Sequence, residues 1–342
     1  MDDVIEINKQ TILLGEKKII LLPMPQLYDS TPLSMPVHVL RSKKSGPILC
    51  LSAAIHGDEL NGIEIIRRIL KHSALKQMKG TLIAIPIVNM YGFLYQDRYL
   101  MDRRDLNRVF PGSEKGSLAS RLAHLISTEI INKVTHCIDL HTGSLHRTNL
   151  PQIRISSNCN DEMLAMAQAF HPPVILKTKL LDGSLRQYTA NRNIPTLLYE
   201  AGESLRFDEY SIRTGVKGIL NVMEFLGMIK KRAIKTKNNQ LNSNIAQASY
   251  WVRASHSGIF QPKKLIGQQV KKGELLATIG NPTTIDEQAL YSPISGVIIG
   301  KNILPIIHEG AALFHIASFQ SIDLAKEHIE NLQESYDEQI QG

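Results

Sequence analysis

The stretch "ILCLSAAIHGDELNGIEIIRRIL", residues 48–70, decides the fold. Its first eight residues form an apolar, β-prone run, and from residue 60 onward apolar side chains recur with helical spacing. A buried strand that turns into an amphipathic helix is the building unit of α/β proteins. The turn between them holds His56 and Glu59, three positions apart. Two readings compete for it. In one, Asp58 or Asn61 caps the helix, Gly57 lets the loop turn tightly and His56 is a satisfied polar residue. In the other, His56 and Glu59 are two ligands of a metal site, which needs a third donor from elsewhere.

Working outward, further β-rich runs are "MPVHVLR" (35–41), "TLIAIPIV" (81–88), "VTHCIDLH" (134–141), "QIRIS" (152–156) and "TLLYE" (196–200). Helical periodicity covers 60–72, 117–132, 160–170 and 208–227. Strands interleaved with helices predict an α/β sandwich on a central sheet over residues 1–237, with N-terminal strands in 1–44 included. Functional residues of such folds gather where strands end.

The polar stretch "NNQLNSNIAQAS", residues 238–249, reads as a linker. Residues 250–318 are β-like and repeat themselves: "SGIFQPKKLIGQQVKKGELLATI" from Ser257 and "SGVIIGKNILPIIHEGAALFHIA" from Ser295 begin alike. Gly258 and Gly273 lie 15 positions apart in the first copy, Gly296 and Gly310 14 apart in the second. This duplication resembles the barrel-sandwich hybrid of biotinyl and lipoyl domains. A carrier or adaptor needs a lysine on the hairpin between the halves, yet "GNPTTIDEQALYSP" (280–293) has none, and Lys271 and Lys272 precede Gly273. In the terminal segment 319–342, Ile322, Ala325, Ile329, Leu332 and Tyr336 predict an amphipathic helix that docks on the body or on a partner chain, leaving a homo-oligomer open.

Composition narrows the function classes. Three cysteines, Cys50, Cys137 and Cys159, form no CxxC pair and read as reduced core residues of a cytoplasmic protein. The acidic start "MDDVIEINKQ" and the lack of an apolar run of roughly 18 residues argue against a leader and a membrane span. The net charge is +7, but no nucleic-acid motif accompanies it. The densest basic run, "KKRAIKTK" (230–237), reads as a solvated linker; the alternative, second to it, is that the excess positive charge steers anionic substrates.

Three segments supply the missing chemistry. In "CIDLHTGS" (137–144), His141 ends an apolar strand, with Asp139 on the same face and His136 on the other; His146 follows in the loop as a substitute ligand. The segment "RYLMDRRDLNRVFPG" (98–112) gathers Arg98, Arg103, Arg104 and Arg108, with Arg121 beyond, and sets Asn107 beside Arg108. A guanidinium fork beside an amide suits a carboxylate. In "IPTLLYEAGES" (194–204), Glu200 ends a strand, where a carboxylate near a metal-bound water can move protons.

The motifs "HGDE", "RYL", "DLNR", "DLHTG" and "YEAG", in this order over roughly residues 45–230, resemble the succinylglutamate desuccinylase/aspartoacylase family, including a branch with uncharacterised substrates. The resemblance implies a zinc-carboxypeptidase-like α/β/α sandwich with a mixed central sheet. It also implies one zinc ion per chain on His56, Glu59 and His141, and Glu200 as general base and acid. Asn107 and Arg108 would hold the α-carboxylate of a small anionic amide, and Arg98 would stabilise the oxyanion. Arg186, in "GSLRQYTANRNIPTLLYEAGE", is a further substrate contact. Two extra residues in "LMDRR" leave open whether Arg98, Arg103 or Arg104 faces the oxyanion. The rival enzyme reading is a zinc carboxypeptidase that cleaves short peptides or amide-linked tails at the same site.

Overall fold

The computed structural model describes residues 4–231 and 244–337. Ten strands precede residue 204: β1 (Ile5–Ile7), β2 (Gln10–Ile12), β3 (Lys17–Met24), β4 (Leu33–Arg41), β5 (Ile48–Ala53), β6 (Thr81–Ile85), β7 (His136–Gly143), β8 (Arg147–Ser156), β9 (Val174–Thr178) and β10 (Thr196–Glu203). The helices of this body are α1 (Asn61–Lys71), α2 (Met90–Tyr95), α3 (Leu118–Glu129), α4 (Asp161–Phe170), α5 (Leu185–Ala190) and α6 (Glu209–Phe225).

The body's strands run in the order β8-β10-β7-β5-β6-β4-β3. β10, β7, β5 and β6 are parallel to one another, antiparallel β8 and β4 flank them, and β3 pairs antiparallel with β4 at the edge, so the sheet is mixed. Alternation along β5 shows why it is apolar throughout. Leu49, Leu51 and Ala53 enter a core shared with α1, α4 and α6, while Cys50 enters a second core with α2, α3 and α5. A strand covered on both faces has no polar side, and three layers follow. The parallel strands β5, β7 and β10 all deliver their C-terminal ends to one edge of the sheet. That edge carries the site.

Nine short strands follow: β11 (Ile245–Ala246), β12 (Ala248–Arg253), β13 (Gly258–Pro262), β14 (Gln269–Val270), β15 (Leu275–Gly280), β16 (Glu287–Tyr291), β17 (Gly296–Asn302), β18 (Ile306–Ile307) and β19 (Ala312–Ser318). β17 pairs with the start of β8, Gly300 opposite Asn149, so that β12-β19-β17 extends the central sheet, which with β9, β11 and β14 branching from it has 13 strands. The strands β16-β15-β13-β18 form a second sheet. Phe260, Leu276 and Ile279 from it share a core with Val252, Ile298 and Phe314 from the first.

This corrects the expected linker at 238–249. Ile245 and Ala246 pair with β9, and β12 begins at Ala248. The polar composition hides a short strand because backbone hydrogen bonding to an open sheet edge asks little of side chains. Residues 238–243, and most of the basic run 230–237, lie outside the described residues. The final helix α7 (Ile322–Asp337) docks on the body, burying Ala325 and Ile329 against Val297, Ala317 and Phe319. The Tyr336 side chain lies outside the described residues. Among the described residues no helix is long and apolar enough to cross a membrane.

Candidate active site

After β5 the chain turns through His56 and Glu59 before α1 begins. An added Cβ at Gly57 would lie 1.9 Å from the carbonyl carbon of Gly92, so this glycine serves close backbone approach rather than a special turn conformation. The expected cap is absent. Leu60 occupies the cap position of α1 without a side-chain hydrogen bond. Asp58 is fully buried, and among the described residues neither of its carboxylate oxygens has a hydrogen-bond partner. Nor does Asn61 cap the helix: its amide donates to the Ala201 carbonyl and accepts from the Asp208 N–H, tying α1 to the end of β10.

His141 lies in β7 and Glu200 directly opposite it in β10. Period two then sets Asp139 and His141 on one face of β7, where the His141 ring nitrogen Nε2 is 2.8 Å from Asp139 and the Ser52 hydroxyl donates to the same carboxylate at 2.7 Å. His136 faces the opposite side, bonded to Thr135 and Glu162.

His56, Glu59 and His141 form a buried group with candidate ligand atoms within 4.8 Å of one another, the group of this kind found among the described residues. His146 is not part of it. Both Nδ1 atoms lie 2.8 Å from Glu59, one on each carboxylate oxygen. The outward nitrogens rest on carboxylates, His141 on Asp139 and His56 on Asp105 at 3.1 Å. Two imidazoles and a carboxylate, each imidazole oriented by an outer carboxylate, are a donor set that suits zinc.

The electrostatics agree. Burial works against charged rings, yet Asp139 and Glu59 outweigh it and raise His141 to about 10. His56 is raised too: burial opposes its charge, and Glu59 and Asp105 overcome that. Burial likewise favours a neutral Glu59, but the two histidines hold its carboxyl well below the usual range. The pocket is organised around two positive charges, which a divalent cation supplies as well as two ring protons do.

Of Arg98, Arg103 and Arg104, Arg98 is the one that enters the cleft, 3.3 Å from Glu59 and 3.0 Å from Asp105. Arg103 and Arg104 are exposed, Arg103 in a left-handed turn and Arg104 beside Asp102. Asp105 accepts from the Asn107 N–H and so caps the single helical turn Leu106–Arg108. The Asn107 side-chain oxygen accepts from the Leu185 N–H at 2.8 Å, fastening this turn to α5. Arg108 donates to the Asn107 carbonyl and is exposed toward the cleft. Arg186, on α5, donates to Thr178 at 3.2 Å; burial, then neighbouring Arg154, lower it to about 10.

Glu200 accepts two bonds on one oxygen, Oε2, from Asn149 at 2.8 Å and from Arg154 at 2.9 Å. The cleft of about 250 Å³ that joins these groups is closed on one side by Trp251 of β12. Its ring stacks on His315, centroids 4.4 Å apart, with the Arg147 guanidinium over it at 5.1 Å. Burial, then Arg154 and Arg147, push His315 down to about 3, so the stacked ring is neutral.

Sequence reasoning missed Asp105, Asn149, Arg154, Arg147 and Trp251. Asp105 sits inside "DLNR", and its place before the Asn-Arg pair was a usable signal. Arg154 and Asn149 become visible only through register, since β8 pairs with β10 with Arg154 opposite Leu198 and Gln152 opposite Glu200.

The catalytic-domain model of the succinylglutamate desuccinylase/aspartoacylase family matches residues 45–226. The N-alpha-acetyl-L-2,4-diaminobutyric acid deacetylase of Halomonas elongata is 23% identical over 256 residues, 73% of this chain and 75% of that protein. Among solved structures, the product-bound ectoine utilization protein EutE (DoeB) from Ruegeria pomeroyi is 20% identical, with a TM-score of 0.80, covering 93% of this chain and 100% of its own. A succinylglutamate desuccinylase/aspartoacylase from Rhodobacter sphaeroides is 23% identical, with a TM-score of 0.79, covering 89% and 96%. These likenesses share the fold, with its large mixed central sheet.

Proposed function

Because the chain belongs to the succinylglutamate desuccinylase/aspartoacylase family, we propose that it is a zinc-dependent cytoplasmic deacylase that hydrolyses the amide of a small N-acyl amino acid. The observation that carries this reading is the meeting, in one cleft, of the His56–Glu59–His141 donor set with Glu200, its strand-register neighbour. When bound by these three residues, zinc supplies Lewis-acid polarisation of a carbonyl and a water with a pKa near ~7.

The chain's own residues do the rest. Asn107 and Arg108 hold the substrate's carboxylate with directional, charge-assisted bonds, and Arg186 adds a second cation beside them. Asn149 and Arg154 occupy one oxygen of Glu200, which turns the other toward the reacting atoms. Glu200 takes a proton from the attacking water as its oxygen bonds to the amide carbon. It returns that proton to the nitrogen as the C–N bond breaks. Arg98 donates to the carbonyl oxygen as negative charge builds there.

A peptide substrate fits less well. The cleft of about 250 Å³ lies below the roughly 300–1,000 Å³ typical of drug-sized ligand pockets, and Trp251 walls one side. In this reading the C-terminal strands, a biotinyl/lipoyl-like hybrid without the carrier lysine, contribute that wall. The β15–β16 hairpin, residues 281–286, carries no lysine.

The test is Glu200→Gln assayed beside the parent on N-acetyl and N-succinyl amino acids, with zinc content measured in both. We expect unchanged zinc and hydrolysis reduced roughly 10²–10⁴-fold. Full activity in the variant would sink the assignment, and absence of metal-dependent amidase activity in the parent would sink the whole reading.

A further inference from the structure

A second cleft, of about 730 Å³, lies at the opposite end of the sheet from the chemistry. It borders the starts of β5 and β6, whereas His56 follows the end of β5. With roughly 3.3 Å per strand residue, the body of β5 alone separates the two by about 17 Å. Three segments build its walls and are stitched together by backbone groups. Gly80 donates to the Lys44 carbonyl at 2.8 Å, Ser42 donates back to Gly80 at 3.0 Å, and Lys79 donates to the Met228 carbonyl at 2.7 Å. The frame is therefore fixed, although the side chains on it are long.

Those side chains have one sign. Lys43 and Lys44 come from the β4–β5 loop, Lys76 and Lys79 from the approach to β6, and Lys230 and Lys231 from the segment after α6. Among the described residues the lining holds eight cations against one acid, Glu224, and none of these cations forms an ion pair with a carboxylate. Arg41 is the telling member. It is 8% exposed, and its guanidinium donates to the neutral Ile12 carbonyl. Burying a cation without a counter-charge is costly, and clustered lysines repel one another. Both costs fall when an anion binds.

The floor differs from the rim: Leu75, Met78 and Met228 are buried and apolar. We propose that this cleft is a binding site for a small molecule that carries two or more phosphate groups on an organic body, the phosphates on the lysine rim and the body on the floor. A concave volume of 730 Å³ falls in the range of small-ligand sites. Single-stranded nucleic acid is the poorer fit, because no aromatic ring lines the cleft to stack a base. The inference is independent of the catalytic assignment.

The experiment is calorimetric titration of the full-length protein at low salt with ATP and with inorganic tripolyphosphate. The same titrations are run on Lys43→Glu/Lys76→Glu, with a thermal melt as the fold control. We expect one equivalent of ATP to bind, tripolyphosphate to bind more weakly, and the charge reversal to weaken both by at least about tenfold, equivalent to about 1.4 kcal/mol. If that variant melts early, Lys44→Gln/Lys79→Gln replaces it, with a smaller loss in the same direction. Failure of both probes to bind overturns the proposal. So does affinity unchanged in the variants, which would place the anion among the catalytic arginines instead. Tripolyphosphate binding as tightly as ATP removes the role of the floor, and a short single-stranded RNA binding more tightly than ATP replaces the small ligand.

Discussion

The candidate active site has two halves built in different ways. One is borne by strands: Ser52, Asp139, His141, Asn149, Arg154 and Glu200 all lie on β5, β7, β8 or β10. The other is borne by connections and a short helix: His56, Glu59, Arg98, Asp105, Asn107, Arg108 and Arg186. In the strand half, backbone register places one group against the next, as with Glu200 opposite His141. In the other half, side chains place each other. Asp105 alone engages His56, Arg98 and the Asn107 N–H. Geometry fixed by a sheet survives loss of a side chain, whereas geometry fixed by ionic tethers does not. Water, however, can replace a lost tether only where it can enter.

That contrast predicts unequal roles for the two carboxylates behind the histidines. Outer partners of metal ligands are worth roughly 10–100-fold in metal affinity. Asp139 is completely buried, whereas the Asp105 side chain is 15% exposed. Removing Asp139 also strands the Ser52 hydroxyl in the core. We expect Asp139→Ala to weaken zinc binding close to the upper end of that range and Asp105→Ala close to the lower end, read by competition with a chelator. Equal losses, or a larger one for Asp105, would break the distinction between sheet-held and tether-held ligands.

The same contrast explains what was legible in the sequence. His141, Asp139 and Glu200 stand at the ends of apolar runs, so period two and a common strand direction assemble them without knowledge of a loop path. Layering was legible for the same reason: a continuous apolar run such as "ILCLSAAI" needs cover on both faces. Arg154 and Asn149 were hidden because only pairing of β8 with β10 brings them to Glu200. Asp58 was misread because local spacing suggests a cap, whereas the chain path buries its carboxylate beside the ligands. Trp251 could not be placed from pattern, since a wall contributed from 51 positions beyond Glu200 depends on β17 joining β8. The polar stretch around Ile245 concealed a strand for the converse reason, that only Ile245 and Ala246 of it pack on the core while the rest of the sheet contact is backbone pairing with β9.

A smaller effect sharpens the comparison by kinetics. Arg154 belongs to the strand half and touches Glu200, the proton-moving group, so it acts through another residue as a positioning residue. Arg108 belongs to the other half and, in the proposed reaction, touches substrate from the moment of binding. An interaction made equally with ground state and transition state raises KM when lost and spares kcat; one needed only as the proton moves lowers kcat. We therefore expect Arg154→Met to reduce kcat about tenfold with KM little changed, and Arg108→Ala to raise KM about tenfold with kcat little changed, each about 1.4 kcal/mol. Arg154→Lys tests the positioning role directly. It keeps the charge but presents a point donor in place of the fork, so partial recovery of kcat without change in KM is the expected result. A rise in KM for Arg154→Met at constant kcat would instead put Arg154 in contact with substrate, and Glu200 would then be oriented by Asn149 and its own strand.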